Sequence, residues 1–368
     1  MVNGENMITE LLKNAKVEWK TLGEVIKLNR GKRLVRKQLE ETGEFAVYQN
    51  SMTPLGFYHE HNVKANTTFV ICAGAAGEIG YSSFDFWAAD DVYFLETPDY
   101  IYNKFAYYYL LTQQFKIKGQ VRRASIPRLS KSAIERLKIP IPPLSVQEKI
   151  VEVLDKFTEL TAELTAELTA RQKQYEYYRE QLLMVNDKGL MSNGCKAEWK
   201  TLGEVAFFQR GYDLPKTKMI EGGYPVTGSN GIIGYHNQYT TECPVITVGR
   251  SGSVGKISMY NQKCWIHNTA LFVKEFNSVI PRYIYYLLQT LNLPSYGTGA
   301  GVPTLNRNNI HPIKIPIPPL AEQERIVAIL DKFDTLVNDI SAGLPAEIDM
   351  RTKQYEYYRD KLLSFPQE

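Results

Sequence analysis

An α+β fold is what the sequence predicts: two globular parts of mixed strands and short helices alternate with two long helices, and the second half of the chain repeats the first. Three observations carry this. Ser145 to Lys188 contains neither glycine nor proline, which leaves nothing to stop a helix there. The same phrases are written twice: EWKTLGEV at Glu18–Val25 and Glu198–Val205, IPIPPL from Ile139 and from Ile315, and R-x-KQYEYYR from Arg171 and from Arg351. Between them lie short runs rich in β-branched and aromatic residues, punctuated by glycine and asparagine, which read as strands and turns.

Composition sets the bounds. Hydrophobic residues make up 44% of 368, enough to bury a core in each globular part. No apolar run reaches the length of a membrane span, and Met1–Lys16 lacks the apolar core of a signal peptide, so the expectation is a cytoplasmic protein with no membrane partner. Cys72, Cys195, Cys243 and Cys264 form no CxxC pair and read as reduced thiols. His59 and His61 show no evident carboxylate or cysteine partner, and no metal is expected. The net charge of +3 hides a partition. Val17–Pro143 carries +4 (17 basic against 13 acidic residues) and Ala197–Pro319 carries +5 (11 against 6). The two long helical stretches, 145–184 and 321–363, each carry −3 (5 against 8, and 6 against 9). An anionic partner for the globular parts and a different one for the helices follow from that split.

In chain order, Met7–Ala15 reads as a short helix and Leu22–Leu28 as a first strand. A basic loop follows, with Lys27, Arg30, Lys32, Arg33, Arg36 and Lys37 and no acid among them. Its counterpart carries Arg210, Lys216 and Lys218. Such loops neutralise phosphates, and arginine also reads guanine edges; a merely solubilising loop is the alternative. Phe45–Asn50 and Tyr224–Gly228 read as strands feeding polar turns, where Asn50, Ser51, Ser229 and Asn230 either donate to bases or satisfy their own backbone. Thr68–Cys72 and Pro244–Val248 read as buried strands. They lead into GAAGEIG and GRSGSVG, a spacing that is neither a P-loop nor a dinucleotide fingerprint. These loops either bring backbone close to another surface, with Arg250 and Lys256 alongside, or are plain hairpin turns. Phe105–Phe115 and Arg282–Leu293 read as aromatic helices whose tyrosines are mostly core. GQVRRASIPRLS and GTGAGVPTLNRNNI come next, aligned at Ile126-Pro127 with Val302-Pro303 and at Leu129 with Leu305. With Arg122, Arg123 and Arg128 in one, and Arg307 and Asn308 in the other, they are the foremost base-reading candidates.

The first long helix opens after Pro142-Pro143 with a capping box expected from Ser145 and Glu148. Its apolar seam runs through Ile150, Leu154, Phe157, Leu160, Leu164, Leu168, Tyr175, Tyr178 and Leu182, so it needs a helical partner. The second stretch supplies one, with a break expected at Gly343 and Pro345.

Taken together, two basic globular parts alternating with near-identical helices, IPIPPLxxQExI written twice, and TAEL tetrads in the first helix resemble the specificity (S) subunit of Type I restriction-modification systems, over essentially the whole chain. The resemblance implies target recognition domains at 1–143 and 188–319, conserved spacer helices at 144–187 and 320–368 packed as an antiparallel coiled coil, and an internal pseudo-twofold. It implies a subunit that reads a bipartite, asymmetric site on double-stranded DNA and docks two methyltransferase (M) subunits and the restriction/translocase (R) subunits. S-adenosylmethionine, ATP and Mg are expected on those partners and no cofactor on this chain. The helices and their flanks are the part that transfers, giving Gln147, Glu148, Leu160, Leu164, Leu168, Gln323 and Glu324 as spacer or subunit-docking residues. An enzyme of its own would need a [DNS]PP[YFW] methyltransferase tetrapeptide, a nuclease Pro-Asp motif with its lysine, or a P-loop, and none is present. An adenine methyltransferase acting alone and a protein-only scaffold are the alternatives to a non-catalytic DNA-reading adaptor.

Overall fold

The computed structural model describes residues 15–299 and 303–366, so all but Ala15 of the helix expected at Met7–Ala15 lies outside the described residues. The chain forms two compact units. One runs to Leu164 and takes in the stretch from Ile348 onward; the other is Thr165–Glu347.

The first unit holds β1 (Glu18–Thr21), β2 (Lys27–Arg30), β3 (Phe45–Tyr48), β4 (Gly56–Tyr58), β5 (Thr67–Ile71), β6 (Ile79–Ser82), β7 (Phe86–Ala88), β8 (Val92–Glu96) and β9 (Lys138–Ile141). They make an antiparallel sheet in the order β2-β8-β5-β6, a three-stranded sheet β4-β3-β7 with β3 and β7 parallel, and the pair β1-β9. Strand β5 reads as a continuous apolar run because both of its faces are covered. Val70 joins the core shared with the helices, while Phe69 and Ile71 face a second cluster with Phe86, Ala88 and Val92; alternate side chains of a strand point to opposite faces.

The second unit repeats this plan. Its strands are β10 (Glu198–Thr201), β11 (Ala206–Arg210), β12 (Tyr224–Gly228), β13 (Gly231–His236), β14 (Val245–Gly249), β15 (Ile257–Tyr260), β16 (Trp265–Ile266), β17 (Ala270–Phe276) and β18 (Lys314–Ile317). The orders are β11-β17-β14-β15, β13-β12-β16 and β10-β18.

The strand expected at Leu22–Leu28 is corrected. Leu22–Val25 is a helical turn between β1 and β2, because Glu24 reaches back to the Thr21 amide (2.7 Å) and closes a capping box. The repeat does the same, Glu204 taking the Thr201 amide at 2.6 Å. Local capping outweighs the strand preference of Leu-Val-Ile.

One helix spans Leu144–Leu183. It starts a residue ahead of the expected Ser145 cap: the Pro143 carbonyl accepts from Val146 and Gln147, while Ser145 and Glu148 are both exposed on the first turn. In the first unit Ile150 and Leu154 are fully buried in a core shared with Leu362, Leu363 and Phe365, and Phe157 stacks on Tyr358 (5.4 Å). In the second unit Tyr175 and Tyr178 stack on Phe333 (6.3 and 5.5 Å). The helix thus meets the later part of the second stretch with its first half and the earlier part with its second half, the antiparallel order. Leu160, Leu164 and Leu168 are half-buried on this seam. The second stretch is two helices, Leu320–Asn338 and Leu344–Leu362, divided at the expected break. The Gly343 amide donates to Asp339, and a Cβ there would lie 2.3 Å from the Thr335 carbonyl.

Glu322 is 7% exposed at the start of Leu320–Asn338 and takes two bonds from Arg325 (2.8 and 2.7 Å). That guanidinium holds its carboxyl below the ordinary 4.5 against the opposing effect of burial. A depressed folded pKa means that its stabilisation is complete above about pH 4.5 and is lost as pH falls through the folded value. Glu322→Gln is therefore expected to lower the Tm at neutral pH and to flatten its decline on acidification, measured by thermal melts from pH 7 to 3.

Candidate nucleic-acid interface

In the first unit, β2 ends in Arg30-Gly31. Gly31 donates to Val92 (2.9 Å), Lys32 to Ala88 (2.9 Å), and a Cβ on Gly31 would meet the Ala89 carbonyl at 2.1 Å. Only glycine lets this backbone lie so close. Leu34 is buried as the anchor, leaving Arg30, Lys32 and Arg33 exposed, with Arg30 Nε donating to the Asp90 carbonyl (2.7 Å). Three more segments join this end of the sheets. The Asn50 carbonyl accepts from Ala75 (2.9 Å), the Pro127 carbonyl from Gly74 (3.1 Å), and the Cys72 carbonyl from Leu129 (2.8 Å). Arg122 and Arg128 exchange backbone bonds (2.9 and 3.2 Å), so they close a small loop that presents Arg122, Arg123 and Arg128 to solvent. Burial pushes the Cys72 thiol up, and the nearby Arg30 guanidinium acts against it.

The second unit builds the same end with other side chains. β11 ends at Arg210 and Gly211 follows it; Gly211 donates to Ala270 (3.0 Å), and a Cβ would meet the His267 carbonyl at 2.3 Å. Arg250 occupies the position of Cys72: its carbonyl accepts from Leu305 (2.8 Å) and its amide donates to Thr269 (2.8 Å). Burial and then the charge of Arg210 lower the Arg250 pKa, and the ladders bring both residues to one end of the sheet, Arg210 opposite Leu271 and Gly249 opposite Ala270. Lys256 Nζ donates to both the carbonyl and the side-chain oxygen of Asn230 (2.9 Å each), tying the β12–β13 turn to the β14–β15 loop. Arg210, Arg250, Lys256 and Asn230 are therefore brought together. Crowded cations of this kind gain by meeting an anion.

The glycine loops match in a register other than the one their spelling suggests. Gly74 and Gly77 correspond to Gly252 and Gly255, all four with φ between +80° and +90°, each pair turning one antiparallel hairpin. The loops are thus hairpin turns and close backbone approaches at once. Similarly the Arg122–Arg128 closure corresponds to Thr298–Thr304. Arg307 and Asn308 fall elsewhere. They sit on the helical turn Arg307–Ile310 capped by Asn306, whose side chain accepts from the Asn308 amide, and the Arg307 guanidinium lies 5.5 Å over the Phe207 ring. Phe207 is near the start of β11, away from Arg210 at its end. His59 and His61 do have carboxylate neighbours, but separate ones, Glu40 (2.6 Å) and Asp85 (3.2 Å).

Gln147 and Gln323 act within the fold. Gln147 is fully buried, donating to the Tyr100 and Pro142 carbonyls (3.0 and 2.8 Å) and accepting from the Tyr102 amide (2.9 Å). Gln323, 1% exposed, likewise donates to Pro318 and accepts from Ile280 (both 2.9 Å). Their polar groups are engaged within the fold at the helix starts, and Glu148 and Glu324 are the exposed neighbours. A second tie escaped the sequence reading. Asp155 accepts from Tyr108 (2.6 Å) and Lys104 (2.7 Å), and Asp331 from Tyr286 (2.5 Å) and Arg282 (2.7 Å). The signal was present in LDKF, repeated after each IPIPPL.

Comparison with known proteins follows the same two-part division. The model of the Type I restriction modification DNA specificity domain matches residues 14–171 and again 196–350. The specificity subunit of the type I restriction enzyme EcoR124I/EcoR124II from Escherichia coli is 33% identical over 403 residues, covering 98% of this chain and 97% of that protein. Among solved structures, the S subunit of a Type I restriction-modification system from M. genitalium superposes with a TM-score of 0.70 at 21% identity, over 96% of this chain and 97% of that one. A chain from a structural study of complex assembly in the type I R-M system gives 0.57 at 16%, over 94% and 97%. Sequence match over both halves and fold over nearly all of the chain agree: this chain belongs to the specificity subunits of Type I restriction-modification systems.

Proposed function

We propose that the chain is the DNA-reading adaptor of its complex: each globular unit reads one half of a bipartite, asymmetric site, and the paired helices set the unread spacer between the halves. The observation that supports this best is a single loop scaffold built twice and furnished differently, with Cys72 and Arg122 in one unit against Arg250 and Thr298 in the other. Unlike side chains on like backbones are what two unlike half-sites require. Exposed Glu148 and Glu324 at the helix starts, and the acidic helices behind them, are the surface for two M subunits, with R subunits joining the assembly. S-adenosylmethionine, ATP and Mg act on those partners. This chain contributes no catalytic group, and methyl transfer by the isolated chain is the result that overturns that part.

The test is DNA binding by the chain assembled with its M subunit. Affinity is expected to fall steeply with salt, as counterion release demands; a salt-independent or absent shift favours a protein-only scaffold. Replacing Arg122 and Arg123 together by alanine is expected to weaken DNA binding at least tenfold with assembly intact. Loss of the M subunit instead would assign both arginines to structure.

A further inference from the structure

A cleft of about 670 Å³ opens on the first unit where the helical turn Gln114–Gly119, the Arg122 end of the reading loop and the short helix Lys131–Glu135 meet. Lys116, Arg122 and Arg136 line it with the hydroxyl residues Ser130 and Ser132, and no carboxylate does. The acids close by are already paired, Glu135 with Lys131 (3.1 Å) and Glu78 with Lys118 (2.8 Å). Phe115, 92% exposed, stands at the same cleft. The matching positions of the second unit carry other residues. Matching the Arg122–Arg128 closure to Thr298–Thr304, and buried Ile117 to buried Leu293, puts Asn292 in the place of Lys116, Thr298 in that of Arg122 and Pro312 in that of Arg136.

We propose that this cleft holds the phosphate backbone of duplex DNA outside the half-site that the first unit reads, so that the first unit grips flanking DNA and the second does not. The inference rests on the DNA-reading function above. Arg122 belongs both to the reading loop and to the cleft, so a strand leaving the loop enters the cleft without a gap. Three cations with two hydroxyls are the donors that phosphate oxygens recruit, and such contacts position a duplex without reading it. The Phe115 ring gives the sugar faces between phosphates an apolar surface. An acidic protein segment is the competing occupant; continuity with the reading loop favours DNA.

The experiment uses Lys116→Gln/Arg136→Gln in the complex with the M subunit. Both side chains are exposed, so an unchanged melt serves as the folding control. Binding is measured from 50 to 200 mM salt on a duplex with long flanks and on one trimmed at the end of the first half-site. On the long duplex the variant is expected to bind more weakly, with a log–log salt slope shallower by about 1.8, so that its deficit shrinks about twelvefold across that range. On the trimmed duplex it is expected to match the parent, and the methylated motif is expected to be unchanged. Equal slopes on the long duplex overturn the proposal, as does loss of the M subunit by the variant without DNA, which assigns the cleft to an acidic protein surface. Failure of the parent itself to bind either duplex overturns the DNA-reading function instead.

Discussion

Deleting Thr161–Leu164 is expected to shorten the unread spacer of the target by one or two base pairs. Four residues of helix are about 6 Å long, against a base-pair rise of ~3.4 Å. They also make about 400° of rotation, roughly 40° past one full turn, so the seam through Leu160 and Leu168 closes up with Leu on the same side. The tetrad that follows, Thr165–Leu168, restores the deleted letters. Thr161 Oγ1 donates to the Phe157 carbonyl one turn earlier in the same helix (2.9 Å), and both globular parts lie outside the deleted tetrad in sequence. Genome-wide mapping of methylated sites reads the result: half-sites should persist and their separation change. An unchanged separation sinks the ruler.

Replacing Gln147 by leucine is expected to destabilise the first unit by roughly 3 kcal/mol, because two carbonyls and an amide lose their partner in a buried place, at ~1–3 kcal/mol for each unsatisfied group. For a domain of 150 to 250 residues that corresponds to about 6–12 °C in Tm. Gln323→Leu, which strips one carbonyl and one amide of their partner, should destabilise the second unit in the same way but less. Hydrogen exchange of the full chain separates them, since each variant should lose protection in its own unit. Loss of M subunit binding with no change in protection would return the glutamines to a docking role.

The duplicated topology was legible because the repeated phrases fall on repeated elements: EWKT on β1 and β10, KIPI on β9 and β18. Buried strands such as β5 were legible from an unbroken apolar run. The turn at Leu22–Val25 was misread because a four-residue capping box looks like a strand when its apolar residues are weighed first. The reading ends were harder. They form through backbone bonds between distant segments, such as Leu129 to Cys72 and Leu305 to Arg250, and a residue-by-residue match slips as the repeat offset shifts from 180 at Glu18 and Glu198 to 176 at Ile139 and Ile315. That slip concealed the equivalence of Arg250 with Cys72. Composition puts Arg307 in a loop, whereas Asn306 caps a helical turn that carries it, exposed, over Phe207.

The first compact unit is closed by residues translated after the whole of the second. Phe365 is buried beside its core, and Trp19 Nε1 donates to the Pro366 carbonyl at 2.9 Å. On the ribosome, where domains form as they emerge, the second unit has all of its residues once Glu347 is out, while the unit begun first still waits for the stretch from Ile348. Synthesis order and completion order are therefore reversed. A message truncated shortly after Glu347 would yield one finished reading head and one whose apolar helix face, at Ile150 and Leu154, is left uncovered for chaperones and proteases to find.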